Sequence, residues 1–252
     1  MGRMRTIFRQ LKRIGAIGGK MVMFALTLAV VWSGIFGLNK ENQLTVDASG
    51  EAFDRQYRVD TCGNIALAHL SVSDPNWVYG LDYQPIEMFD LAALLTDLDI
   101  DPQPAVFVDL GAGKGRAVLL ATCVPFNQVI GVEISPELAF IGNENLRVFT
   151  HPARCAGNAA IVCVDVTNFR FPRQPLVVYL YNPFTVPIMQ RVIANLVTAS
   201  VAHARYIVVI YFRPELAAMW VQAPSFRFVT STDRFHVYDN TPQREELGGS
   251  AA

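Results

Sequence analysis

From Pro104 onward the chain alternates between two periodicities. Short apolar runs rich in β-branched residues cover Ala105 to Leu110, Val129 to Ile134, Ala160 to Asp165, Leu176 to Tyr181 and Tyr206 to Phe212. Helix-length amphipathic stretches at Arg116 to Cys123, Pro136 to Phe149 and Val186 to Ser200 lie between them. Runs that are apolar at nearly every position suit strands buried on both faces, and helices between such strands suit a parallel sheet covered on both sides. Pro136 and Pro187 fall in first helical turns, where a missing N–H does no harm. A last pair of runs, Phe226 to Thr230 and Phe235 to Tyr238, completes the sheet. The pattern predicts an α/β fold over residues 61–240, a doubly wound, mostly parallel sheet of seven strands.

The start of the chain has a different grammar. Residues 1–20 carry Arg3, Arg5, Arg9, Lys12, Arg13 and Lys20 without an acidic residue, and Met4, Ile7, Phe8, Leu11, Ile14 and Ile17 recur at helical spacing. This is the pattern of a basic amphipathic helix. Residues 21–38 follow without a charge, at the lower limit of the ~18 to 20 residues that cross a bilayer. The expectation is an N-terminal membrane-anchor helix that makes the membrane a partner of residues 1–38, with the protein membrane-associated and the side of the membrane left open. Residues 39–60 are polar and read as a linker, and the tail over 241–252 reads as disordered.

Composition narrows the chemistry. Of the 252 residues, 52% are hydrophobic and 17% charged, and the formal net charge is −1, which gives no support for a chain-wide nucleic-acid footprint. Cys62, Cys123, Cys155 and Cys163 contain no C-x-x-C pair, and no His stands at a metal-ligand spacing from them, so no metal site is expected and the thiols read as reduced and mostly buried. His69, His151, His203 and His236 have no Ser or Cys at a telling spacing, which leaves hydrolase chemistry without support.

The first strand runs into Val108-Asp109-Leu110-Gly111-Ala112-Gly113-Lys114-Gly115-Arg116. A strand, a glycine turn and a helix let a ligand approach bare backbone at the carboxyl end of the sheet. Dinucleotides use the same location, but their G-x-G-x-x-G fingerprint needs a glycine where this chain has Arg116. Asp109 at the strand tip would repel a pyrophosphate and suits the ammonium of a methionine moiety, so the loop points to S-adenosylmethionine. Glu133, at the end of the second strand, can accept ribose hydroxyls, and Asp165, at the end of the third, can meet an adenine amino group. At the fourth strand end, Asn182-Pro183-Phe184 would place an amide, carbonyls and a ring beside an acceptor amine. An NAD-dependent oxidoreductase and a non-catalytic, membrane-bound cofactor-binding protein stand as alternatives.

These motifs together resemble the class I, Rossmann-like S-adenosylmethionine-dependent methyltransferases, over Pro104 to about Phe212 and in that family's order. The resemblance implies cofactor contacts at Asp109, Leu110, Gly111, Ala112, Gly113, Gly115, Arg116, Glu133, Ile134, Asp165, Val166 and Asn182. Within the class, D-L-G-A-G-K-G-R and Tyr79-Gly80-Leu81-Asp82-Tyr83-Gln84-Pro85 are similar to the protein lysine methyltransferases that lack a SET domain. That likeness implies a protein lysine as acceptor, a lid role for Tyr83 and Pro85, and a catalytic set of Asn182, Pro183, Phe184 and Tyr83. The fourth-strand motif departs from the patterns of two groups in the class, the amino methyltransferases acting on nucleobases or on Gln and the non-SET lysine type. It has neither the second Pro nor the Tyr of Asn-Pro-Pro-Tyr, which disfavours base or Gln methylation, and it matches Asn-Asn-Phe only in part.

Overall fold

The computed structural model describes residues 48–72, 74–202 and 205–241. The chain divides into two units, Met1–Ser49 and Gly50–Ala252, and the fold is that of the second. The basic helix of residues 1–20, the apolar segment of 21–38, His203 and the tail beyond Thr241 lie outside the described residues. The expected membrane location is corrected: no helix among the described residues is long and apolar enough to cross a membrane.

The sheet contains seven strands in the order β3-β2-β1-β4-β5-β7-β6. They are β1 (Val106–Leu110), β2 (Gln128–Glu133), β3 (Ala159–Cys163), β4 (Leu176–Tyr181), β5 (Ile207–Phe212), β6 (Arg227–Ser231) and β7 (Phe235–Asp239). Neighbours from β3 through β5 pair in parallel, and β7 runs antiparallel to both β5 and β6. The doubly wound, mostly parallel sheet expected from the sequence is therefore present. Every residue of β1 and β5 is buried, as a sheet covered on both faces requires.

Five helices are used below: α1, which carries residues 50–57, α2 (Leu91–Asp97), α3 (Arg116–Ala121), α4 (Pro136–Val148) and α5 (Val186–Ala202). One face of the sheet, with Phe107, Val177, Tyr179 and Ile210, packs with Phe53, Leu91, Leu95, Val118 and Leu146 of α1 to α4. The other, with Val108, Leu110, Leu180 and Tyr211, packs with Ile188, Met189, Val192 and Leu196 of α5 and with Trp220. Helix α4 begins where Ser135 accepts the Leu138 N–H and Pro136 occupies the first turn, and Arg147 stands in its last turn.

Two sequence expectations change here. The polar linker read over 39–60 becomes a helix in its later part. Phe53 and Val59 join the core, while Asp54 accepts hydrogen bonds from the N–H groups of Thr61 and Cys62 and from the Thr61 hydroxyl. The polarity there serves loop hydrogen bonding as well as solvent. Of the four thiols, Cys155 and Cys163 are exposed and Cys62 and Cys123 half-buried, so their expected burial does not hold.

Strand β3 is an open edge of apolar residues, the kind that invites pairing with another chain. Here Asn143 on α4 blocks its centre. The amide oxygen accepts the Ile161 N–H at 3.0 Å and the amide nitrogen donates to the Ile161 carbonyl at 2.8 Å. A side chain thus occupies the place of a neighbouring strand. Asn143→Ala should lower stability by about 1 to 3 kcal/mol, at ~0.5 to 1.5 kcal/mol for each lost hydrogen bond, measured by urea denaturation. An unchanged midpoint would show that the amide contributes nothing.

Candidate active site

The strand order reverses between β1 and β4, so the loops leaving these neighbours diverge and open a crevice at the carboxyl edge of the sheet. The glycine turn lies in it. Gly111 and Gly113 both have left-handed φ, +85° and +54°, which L side chains adopt rarely. A Cβ on Gly111 would stand 2.6 Å from the Pro183 Cβ, and one on Gly113 would strike the Tyr83 ring. The β4 loop and the upstream segment therefore close on bare backbone.

A cavity of about 340 Å³ fills the crevice. Its lining includes Asp109, Gly111, Ala112, Gly113, Arg116, Glu133, Ile134, Asp165, Val166, Asn182, Pro183, Phe184 and Tyr83. Leu110 and Gly115 of the expected set do not line it. Leu110 points into the core beneath the sheet, and Gly115 serves as the left-handed cap from which α3 starts. Pro85 is also absent from the wall, so of the two expected lid residues only Tyr83 reaches the cavity.

Two buried carboxylates define the electrostatics. Glu133 is 7% exposed; its Oε2 accepts the Gly113 N–H and its Oε1 the Ser135 N–H, both at 2.8 Å. Burial raises its pKa, against the opposing pull of those backbone donors. Asp109 is 4% exposed and receives no hydrogen bond from any described residue. Burial first, and the Glu133 charge second, push its carboxyl up to about 8. Arg116 reaches the same wall without neutralising it, because its Nε donates to the Thr61 hydroxyl, Nη1 to the Ile86 carbonyl and Nη2 to the Cys62 sulfur.

Asp165 caps a short 3-10 turn, Val166–Asn168. It accepts the Thr167 N–H and hydroxyl, and also the Asn76 amide at 2.6 Å. Asn76 belongs to the turn at Pro75–Tyr79, which the Ser73-Asp74-Pro75-Asn76 punctuation marks in the sequence, but its partner could not be read there. On β4, Asn182 has φ +42° and its amide oxygen accepts the Tyr211 hydroxyl at 2.9 Å.

The upstream segment covers the crevice. Tyr83 donates its hydroxyl to the Thr61 carbonyl at 2.7 Å, and burial raises its pKa well above the ordinary phenol range, so it stays neutral. Lys114 reaches Asp60 at 2.6 Å and the Cys62 carbonyl at 2.8 Å, and Thr185 binds the Tyr79 carbonyl through both its N–H and its hydroxyl. Trp77, Tyr181, Arg213 and Glu215 also line the cavity although the sequence did not single them out. For Arg213 the available signal was its place directly after β5, at the same edge as the other strand ends. Among the described residues no group of three or more His, Cys, Asp and Glu could hold a metal ion.

No protein-family model matches the chain, and no curated protein matches it. Solved structures similar to it include a TehB-like SAM-dependent methyltransferase from Corynebacterium glutamicum, at 14% identity over 62% of this chain and 89% of that one, with a TM-score of 0.43. A ribosomal protein L11 methylase from Lactobacillus delbrueckii subsp. bulgaricus matches at 17% identity, over 58% and 74%, with a TM-score of 0.42. A magnesium protoporphyrin IX methyltransferase from Synechocystis, solved with bound SAM, matches at 14% identity, over 60% and 76%, with a TM-score of 0.40. All three scores lie below 0.5, so the reading of the site rests on its own atoms.

The raised carboxyl at Asp109 has a consequence for stability. The folded protein holds a proton up to a pH of about 8 that an unfolded aspartate, at 3.8, has released. The stability from that proton is complete below the unfolded value and is lost as pH rises towards about 8. Asp109→Asn removes this loss. The variant should melt higher than the parent at pH 8, by on the order of 5 °C, and the gap should narrow towards pH 5. A variant no more stable at pH 8 would contradict the burial argument.

Proposed function

We propose that this protein is a class I, Rossmann-like S-adenosylmethionine-dependent methyltransferase, with a protein lysine amine as acceptor. The observation that carries the first part is Asp109, a desolvated carboxyl that receives no hydrogen bond from any described residue, at the tip of β1 beside a glycine turn. A ligand with an ammonium group would supply the missing counter-charge. A dinucleotide pyrophosphate would add negative charge beside Glu133 and offer the Asp109 carboxyl no positive charge to replace its proton.

The remaining groups fit the same cofactor. Each Glu133 oxygen accepts one backbone N–H and keeps an acceptor site for a ribose hydroxyl. Asp165 and Val166, with Ile134 across from them, would bound the adenine end. Bound there, the cofactor supplies a methyl group already activated on a sulfonium. What the chain's own residues do is align and exclude water, a role that can contribute ~7 to 11 kcal/mol. Pro183 and Phe184 offer apolar walls for an aliphatic stem, and the Asn182 amide and nearby carbonyls can accept hydrogen bonds from a neutral amine. The likeness of Tyr79–Pro85 and of the glycine loop to the non-SET lysine methyltransferases supports the lysine acceptor.

Calorimetric titration separates this reading from an NAD-dependent oxidoreductase. S-adenosylhomocysteine should bind and NADH should not, and Asp109→Asn should weaken S-adenosylhomocysteine by roughly tenfold or more, equivalent to ~1.4 kcal/mol. Labelled methyl should then pass from S-adenosylmethionine to poly-L-lysine. Tighter binding of NADH would overturn the cofactor assignment, and binding without transfer to an amine would overturn the acceptor.

A further inference from the structure

Tyr211 lies on β5 in the core, fully buried, and none of the motifs above includes it. Its hydroxyl accepts the Leu216 N–H at 3.3 Å and donates its own proton to the Asn182 amide oxygen at 2.9 Å. The order of these bonds fixes a direction. If the Asn182 amide were turned over, its NH₂ would face a hydroxyl that already receives one N–H, and the phenolic proton would have no acceptor. The relay therefore selects one of the two amide orientations.

The backbone makes that selection worth fixing. Asn182 sits at φ +42° at the end of β4, and Arg213 at φ +46° at the end of neighbouring β5. Residues other than glycine adopt such geometry uncommonly, Asn more readily than Arg, and contacts that tie the two strand ends together help to fix it. Tyr211 joins the two strand ends, since it binds Asn182 on one side and Leu216, three residues past Arg213, on the other.

The geometry points to Tyr211 as a positioning residue for methyl transfer: its hydroxyl holds the Asn182 amide so that one lone pair of Oδ1 is used internally and the other faces the acceptor. This rests on the proposed function. A neutral amine that directs its lone pair at a methyl group needs acceptors for its two N–H bonds, and an amide free to flip would offer it donors half the time. Burial pushes the Tyr211 hydroxyl up to about 12, so the proton that fixes the amide is retained throughout the range in which an enzyme would work.

The test compares Tyr211→Phe, Asn182→Ala, Asn182→Asp and the double variants, with poly-L-lysine as amine probe and S-adenosylhomocysteine as binding probe. Tyr211→Phe keeps the buried ring. It should lower kcat roughly 10- to 100-fold, as misplacement of a reacting partner does, while KM and the Kd for S-adenosylhomocysteine change less than about twofold. On an Asn182→Ala background it should cost nothing further. On Asn182→Asp, whose two oxygens are equivalent and need no orienting, Tyr211→Phe should also have little effect. A wild-type kcat in Tyr211→Phe, or losses that multiply with Asn182→Ala, would overturn the inference while leaving the methyltransferase reading intact. A parent that binds S-adenosylhomocysteine but transfers no methyl to poly-L-lysine would overturn the amine reading and this inference with it. If Tyr211→Phe does not fold, Tyr211→His decides, because its ring N–H can still donate to the Asn182 amide oxygen: kcat well above that of Asn182→Ala is expected, and a collapse to the Asn182→Ala level with an unchanged Kd for S-adenosylhomocysteine would contradict an orienting role.

Discussion

Two acidic side chains buried in one crevice, neither hydrogen-bonded to a cation among the described residues, are the constraint around which the rest of this site is arranged. Water would ordinarily solvate Asp109 and Glu133, yet both face a crevice closed by Tyr83 on one side and by Pro183 on the other. Glu133 is compensated by two backbone N–H groups, one of which exists because Gly113 turns the chain with positive φ. Asp109 has no such relief and holds its proton to about pH 8. Taking a charge out of water costs several kcal/mol unless a partner replaces the solvent. Asp109 avoids that cost by keeping its proton, and a ligand whose ammonium takes the proton's place would restore the carboxylate.

The cover that maintains the desolvation is stitched down from beneath. Lys114 and Arg116, within and just after the glycine turn, direct their side chains away from the cavity centre and into the upstream segment, at Asp60, Thr61, Cys62 and Ile86. Asn145 of α4 adds bonds to the backbone of Asp60 and to the Lys114 carbonyl. The same few residues thus shape the turn under the ligand and anchor the loop above it. In that arrangement Arg116 both lines the cavity and fastens its cover.

The sheet was legible because its information is local. Runs such as V-F-V-D-L and I-V-V-I-Y-F show burial on both faces, and each strand fell within a residue or two of its expected place. The strand-end acids were legible for the same reason, since the end of a strand fixes where a side chain emerges. What could not be read were pairings across distance. Asn76 with Asp165, Tyr211 with Asn182, and Asn143 with Ile161 join residues 18 to 89 positions apart, and no periodicity records them. Polarity misled over 50–60, where Asp54 looks solvated in sequence but accepts hydrogen bonds from Thr61 and Cys62, and where the exposed Asp60 still pairs with Lys114.

The account stands on the charge state of Asp109, and that can be counted. Calorimetry of S-adenosylhomocysteine binding at pH 7, repeated in buffers of different ionisation enthalpy, gives the number of protons exchanged. Because Asp109 holds a proton up to about 8 and the ligand's ammonium requires the carboxylate, binding should release about one proton in the parent and none in Asp109→Asn. Binding with no proton release in the parent, or equal release in both, would show that Asp109 is not the ligand's counter-charge.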